Sequence, residues 1–217
     1  MIMCTCSNPK ILVITSRKRF EGEADFLKQI EKIAAAKPFG IVLREKDLPV
    51  KEYSELARKV RDICRSAGAL LIVHSHSEVA RELGIPALHM PLDGLEKMSS
   101  EERKEFEVLG ASCHSVEDVL LAKALGCDYV TAGHVYATDC KPGLPPRGAD
   151  FLAEVCGPAA PMPVFALGGL TPARAPEVRR AGAAGFAMMS SAMDAENPAE
   201  LFRKYSESDS FSEQGMI

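Results

Sequence analysis

What this chain lacks narrows its function before any motif is read. Its formal net charge is only −4, and its 26 lysines and arginines are spread along the chain among 30 acids. No basic face is therefore expected to draw in a nucleic-acid backbone. No run of about 18 apolar residues is available to cross a bilayer. The first ten residues, MIMCTCSNPK, have no basic segment leading into a long apolar one, so no secretion signal is expected. The cysteines number seven, an odd count without disulfide-framework spacing. Cys64, Cys127 and Cys156 sit in otherwise globular segments and read as free thiols of a reducing cytoplasm. Cys4 and Cys6 form a C-x-C pair with no second pair and no histidine at zinc spacing, so residues 1–9 are expected as a flexible tip with no metal. No G-x-G-x-x-G follows the first strand-like run, which counts against a dinucleotide fold.

What is present is a regular alternation. A chain of 217 residues, 47% apolar and 26% charged, suits one α/β domain and would crowd two. Strands are predicted at 10–15, 40–43, 69–73, 86–90, 110–113, 128–132, 163–167 and 185–189, the fourth being the weakest. Helices are predicted at 24–36, 50–67, 77–83, 99–108, 116–125, 149–155, 172–181 and 198–205. Ser115 is expected to cap the helix that follows it, and Thr171 to cap the one opened by Pro172. Eight strand–helix units in about 200 residues fit a single (β/α)8 TIM barrel over residues 10–205. The polar stretch 206–217 reads as a flexible tail.

In such a barrel, chemistry sits at the C-terminal strand ends. All five histidines fall at or just beyond the predicted ends of strands three to six: His74, His76, His89, His114 and His134. His74, His76 and His89 are expected as structural or loop histidines, since a metal site needs converging ligands and a second shell. Asp93 reads as a turn residue before Gly94. His134 stands apart. It follows Gly133 at a strand end and opens GHVYATDCKPGLPPRG, a Pro/Gly-shaped segment that also carries Lys141 and Arg147. Histidine exchanges a proton near neutral pH, and a tuned proton-transfer group contributes about 10² to 10⁴ in rate. His134 is therefore the candidate catalytic residue. Gly168 and Gly169, with Ser190 and Ser191, sit in the loops after strands seven and eight, where small residues let backbone N–H groups approach a phosphate. Arg44 and Lys46 end strand two, with Arg44 suited to bidentate anion binding and Lys46 to a point charge.

The segment Gly133–Gly148 resembles that of the TenI-type thiazole tautomerases, relatives of thiamine phosphate synthase that share its barrel. The likeness extends over Leu43–Asp47, Cys113–Ser115, Phe165–Pro172 and Met188–Ser190, and covers most of the chain from about Lys10 to Lys204. It implies a proton shift that converts a non-aromatic carboxythiazole phosphate into aromatic 2-carboxythiazole phosphate. His134 would shuttle the proton. Gly168, Gly169 and Ser190 would cradle the phosphate, and Arg44, Lys46 and Lys141 would offset anionic charge. Thr138 and Arg147 would shape the loop. The resemblance also implies a homodimer acting on a small phosphate substrate in the cytoplasm, with no cofactor. Several departures separate the chain from the synthase. Val42 stands where the synthase carries glutamine, and His74-Ser75 where it carries Asn-Asp. Asp93 lies four residues after His89 rather than the five of the synthase's magnesium-binding aspartate, and Gly133-His134 replaces Gly-Pro. Two alternatives remain: Mg²⁺-dependent thiamine phosphate synthase, and a non-enzymatic phospholigand-binding regulator.

Overall fold

The computed structural model describes residues 10–138 and 143–207. The expected N-terminal tip, the tail beyond Glu207, and the loop residues Cys140 and Lys141 lie outside them. Eight strands alternate with helices: β1 (Lys10–Ile14), α1 (Glu23–Ala35), β2 (Gly40–Leu43), α2 (Val50–Ala67), β3 (Leu71–His74), α3 (Ser77–Glu82), β4 (Ala87–Pro91), α4 (Leu92–Lys97), α5 (Ser100–Lys104), β5 (Val108–Cys113), α6 (Val116–Ala124), β6 (Tyr129–Gly133), α7 (Gly148–Ala159), β7 (Val164–Leu167), α8 (Ala175–Arg180), β8 (Gly185–Met188), α9 (Ser190–Met193) and α10 (Pro198–Glu207). Each strand pairs in parallel with the next, and β8 closes on β1. The protein is a (β/α)8 TIM barrel.

The strands are apolar throughout because both of their faces are covered. Outward residues such as Ile11, Val13, Ile41, Leu43 and Val73 pack under the helices, against Phe26, Ile30 and Ile33 of α1 and Tyr53, Leu56 and Val60 of α2. Those helical residues recur at three-to-four spacing, which gives each helix one apolar stripe. Inward residues Leu12, Ile14, Val42, Ile72, Ala87, Val108, Tyr129, Phe165 and Ala187 fill the barrel itself. Two large rings there are accommodated by glycine. A Cβ on Gly110 would lie 2.2 Å from the Tyr129 ring, and one on Gly185 2.7 Å from that of Phe165. Fully burying a side chain of this size stabilises by about 1.5–3 kcal/mol, so the pairing of small with large is an energetic requirement of the core.

The connection between β4 and β5 departs from the expected single helix over 99–108. A short helix, α4, begins directly after Pro91 and places Asp93 in its first turn. Ser99 then starts α5 with a reciprocal capping box, in which Glu102 N donates to Ser99 Oγ and Ser99 N to Glu102 Oε2. The charged run ends at Lys104, and Val108 already belongs to β5 because its side chain fills the barrel. Ser115 caps α6 as expected, accepting from Asp118 N at 3.1 Å. Thr171 makes no side-chain cap bond, and Pro172 opens a 3-10 turn, with α8 starting at Ala175. Helix α10 runs through Ser206 and Glu207, two residues into the stretch expected as tail.

Candidate active site

Strand parity carries the core pattern upward into the site. Two residues beyond the inward Val42, Ile72 and Ala87 stand Arg44, His74 and His89, so these side chains share the inward face at the C-terminal end of the barrel. His74 and His89 are direct neighbours in register, with rings 5.7 Å apart. Ser112 and Thr131 continue the layer on β5 and β6, again two residues beyond inward Gly110 and Tyr129. Above them opens a cavity of about 490 Å³, also bordered by Lys46, His114, His134, Thr138, the Gly168–Leu170 segment and Met189–Ser191. Of the candidate residues, Arg44, Lys46, His134, Gly168, Gly169, Ser190 and Ser191 are all brought together here. Lys141 lies outside the described residues.

Four of these cavity residues had been expected only as structural or unassigned. His74, His89 and His114 line the wall, and Thr138 faces the cavity as well as shaping the loop. Ser112 and Thr131 carried no warning in the sequence; the parity of β5 and β6 was the signal that could have found them. His76 belongs elsewhere. The strand ends at His74, and Ser75 takes a left-handed φ of 67°. His76 then stacks on Tyr53 at 4.3 Å between ring centroids and sits 3.2 Å from Glu78.

The floor of the cavity is polar and neutral. His89 lies between the Tyr129 hydroxyl at 3.0 Å and Ser112 Oγ at 2.9 Å. Burial, with the Arg44 charge nearby, pushes its pKa down to about 3, so it is uncharged at physiological pH. Burial and neighbouring His89 and Arg44 drive His74 down as well. Charge is concentrated on one wall. The side chains of Arg44 and Lys46 make no hydrogen bond or ion pair among the described residues. Burial and the Arg44 charge lower the Lys46 pKa. Glu45, between them, turns away from the cavity: it accepts from Thr15 Oγ1 at 2.6 Å and from Arg17 N at 3.0 Å. Thr15 Oγ1 in turn accepts from Arg44 N at 3.0 Å, which fixes the backbone that presents Arg44.

The loop after β6 is seated on the two glycines. Val135 N donates to Leu167 O at 2.8 Å and Tyr136 N to Gly168 O at 3.1 Å. Gly168 (φ 101°) lies so close that a Cβ would stand 2.5 Å from His134 Cβ, and one on Gly169 would stand 2.3 Å from Ala137 O. Arg147 stacks 3.5 Å over Phe151 and donates to His114 O, which ties down the far end of the loop. His134 is 6% exposed. Its Nε2 faces Leu144 O at 3.3 Å. A carbonyl only accepts, so Nε2 carries the hydrogen and Nδ1 keeps a basic lone pair. The same reasoning puts a hydrogen on His114 Nδ1, which faces Gly133 O at 3.0 Å.

On the opposite wall, Gly168, Gly169, Ser190 and Ser191 leave backbone open to the cavity. Helix α9 is only four residues long and α8 is set back behind a 3-10 turn, so the helix-terminus charge expected there is small. Close backbone approach is what remains to favour an anion. Among the described residues no group of histidine, cysteine or carboxylate side chains is arranged to hold a metal. Asp93 is 76% exposed and lies 3.7 Å from Lys97. Among the described residues the cavity wall offers imidazole, hydroxyl and cationic groups and no carboxylate. That donor set does not fit Mg²⁺, which takes carboxylate and phosphate oxygens. Cys64, Cys113, Cys127 and Cys156 are buried free thiols away from this wall. Among the described residues no helix is long and apolar enough to cross a membrane.

Comparison with known proteins agrees with this architecture. A thiamine biosynthesis bifunctional protein ThiM/ThiE of Symbiobacterium thermophilum is 36% identical over 165 residues, which is 75% of this chain but only 34% of that one. A putative thiamine-phosphate synthase of Geobacter sulfurreducens is 34% identical over 195 residues, covering 89% of this chain and 91% of its own. Among solved structures, a thiamine phosphate pyrophosphorylase of Pyrococcus furiosus superposes with a TM-score of 0.74 at 28% identity, over 93% of this chain and 96% of that one. The family model described as thiamine monophosphate synthase, TMP-TENI, matches residues 11–192, and the chain belongs to that family.

Proposed function

We propose that the protein is an enzyme of thiamine biosynthesis that aromatises a carboxythiazole phosphate by proton transfer. One proton leaves the saturated ring carbon and one is delivered to the exocyclic carbon, so the change needs no oxidant, metal or second substrate. The observation that carries this reading is the cavity wall itself, which among the described residues offers a histidine with one free ring nitrogen, two cations whose side chains make no hydrogen bond or ion pair, and no carboxylate. In this reading His134 Nδ1 takes up the proton, and the imidazolium returns one to the exocyclic carbon. The backbone at Gly168, Gly169 and Ser190, with Ser191 beside it, holds the phosphate. Arg44, Lys46 and Lys141 balance the remaining negative charge.

A second reading, Mg²⁺-dependent thiamine phosphate synthase, is favoured by the relatives' names, which fit it better than they fit a tautomerase. Against it stands the donor set, since departure of pyrophosphate calls for a cation held by carboxylates. The two readings separate in one pair of assays. The non-aromatic tautomer, supplied in the presence of EDTA, should become aromatic much faster than in an enzyme-free control. A thiazole phosphate and a pyrimidine pyrophosphate supplied with Mg²⁺ should not be coupled. Coupling without tautomer conversion would replace this reading with the synthase.

A further inference from the structure

His74 is a polar group of the cavity floor that the proposed chemistry leaves unused. Its neighbour in the same layer, His89, has both ring nitrogens engaged. His74 has one: Nδ1 lies 2.7 Å from Ser75 Oγ, and Nε2 has no partner among the described residues although the ring lines the cavity. The ring is firmly held. Its backbone N–H donates to Tyr53 Oη at 3.2 Å, Tyr53 in turn donates to Leu43 O at 2.6 Å, and the Ser75 N–H donates to His89 O at 3.0 Å. Two residues beyond the paired Val42 and Ile72 stand Arg44 and His74, on adjacent strands and the same inward face.

We propose that His74 Nε2–H, together with Arg44, binds a carboxylate on the ligand ring, at the end away from the phosphate. An anion drawn to Arg44 and Lys46 can only accept hydrogen bonds, so it selects the tautomer with hydrogen on Nε2. Nδ1 then accepts from the Ser75 hydroxyl, for which the observed contact is already in place. The buried ring is kept neutral by its surroundings, so it adds a directed donor without a further charge. Phosphate is bound at β7 and β8 and carboxylate at β2 and β3, which makes the site selective for a ring carrying both groups.

This inference rests on the carboxythiazole reading but is tested by binding, not turnover. The probes are aromatic 2-carboxythiazole phosphate and the same thiazole phosphate without the carboxylate, titrated by calorimetry into wild type, His74→Leu, His74→Gln and Ser75→Ala. A hydrogen bond to a charged group corresponds to a loss of about tenfold to a hundredfold in affinity when removed. That loss is expected in His74→Leu for the carboxylated ligand alone, with partial recovery in His74→Gln and a smaller loss in Ser75→Ala. Unchanged binding of the decarboxylated ligand reports an intact site. Wild type that fails to distinguish the two ligands overturns the proposal. So do variants that lose affinity for both equally, or for neither. If selectivity follows His74 while no tautomer is converted, the carboxylate subsite stands and the tautomerase reading falls.

Discussion

The contact between Gly168 and His134 makes a quantitative prediction about how the loop is held. An alanine at Gly168 meets two obstacles. The φ of 101° is one that side-chain-bearing residues rarely adopt, and a left-handed residue costs about 1–2 kcal/mol. Its Cβ would also lie 2.5 Å from His134 Cβ and 2.9 Å from His134 Cα, where relief requires moving backbone, an overpacking cost of about 1–3 kcal/mol. Gly168→Ala should therefore destabilise by about 2–5 kcal/mol, or lower Tm by roughly 4–20 °C for a chain of this size. Gly126→Ala is the matched control: φ is 83° and nothing lies within 4 Å of the added Cβ. It should cost only the conformational part, about 1–2 kcal/mol, and leave turnover of the thiazole tautomer unchanged. Differential scanning calorimetry and the aromatisation assay read both effects. Equal Tm shifts in the two variants, with Gly168→Ala retaining wild-type turnover, would refute the claim that this glycine positions His134.

Further expectations follow from the buried histidine layer. Tyr129→Phe removes the hydroxyl 3.0 Å from His89 Nδ1 and strands that nitrogen in the barrel, so it should cost about 1–3 kcal/mol in urea denaturation; no loss would show that the nitrogen finds another partner. His89 also sets a pH dependence. Its folded pKa of about 3 lies below the ordinary 6.5, so the unfolded chain binds more protons between those values. The contribution is therefore complete above about pH 6.5 and is lost as pH falls toward 3, at up to about 1.4 kcal/mol per unit. Stability of His89→Gln should fall less steeply than wild type from pH 7 to pH 5, and parallel profiles would contradict the assignment. EDTA at millimolar level should leave aromatisation unchanged, whereas a rate lost in EDTA and restored on adding Mg²⁺ back would point to a cation site that the described residues of the cavity wall do not supply.

Much of the barrel was legible because parallel strands buried on both faces read as short apolar runs, such as KILVI and GIVL, between amphipathic helices. The β4–β5 connection was not. The run EERKE reads as helix straight into Val108, and only the inward position of Val108 in a closed barrel shows where the strand begins. His134, Arg44 and the glycine pair were visible because each breaks an apolar run at a strand end. His74, Ser112 and Thr131 were harder to place, since a polar residue inside a strand looks like a surface position until the barrel closes around it. The packing of Gly168 on His134 has no local signature, because it joins β6 to β7 across more than 30 residues.

The central claim is that His134 moves the proton, and the aromatisation rate of His134→Asn measures it most directly. Asparagine keeps a donor toward Leu144 O but has no basic nitrogen. The account predicts that 2-carboxythiazole phosphate binds with nearly unchanged affinity while kcat falls by about 10²-fold or more. A variant that turns over the tautomer at the wild-type rate would remove His134 from the chemistry and contradict the account.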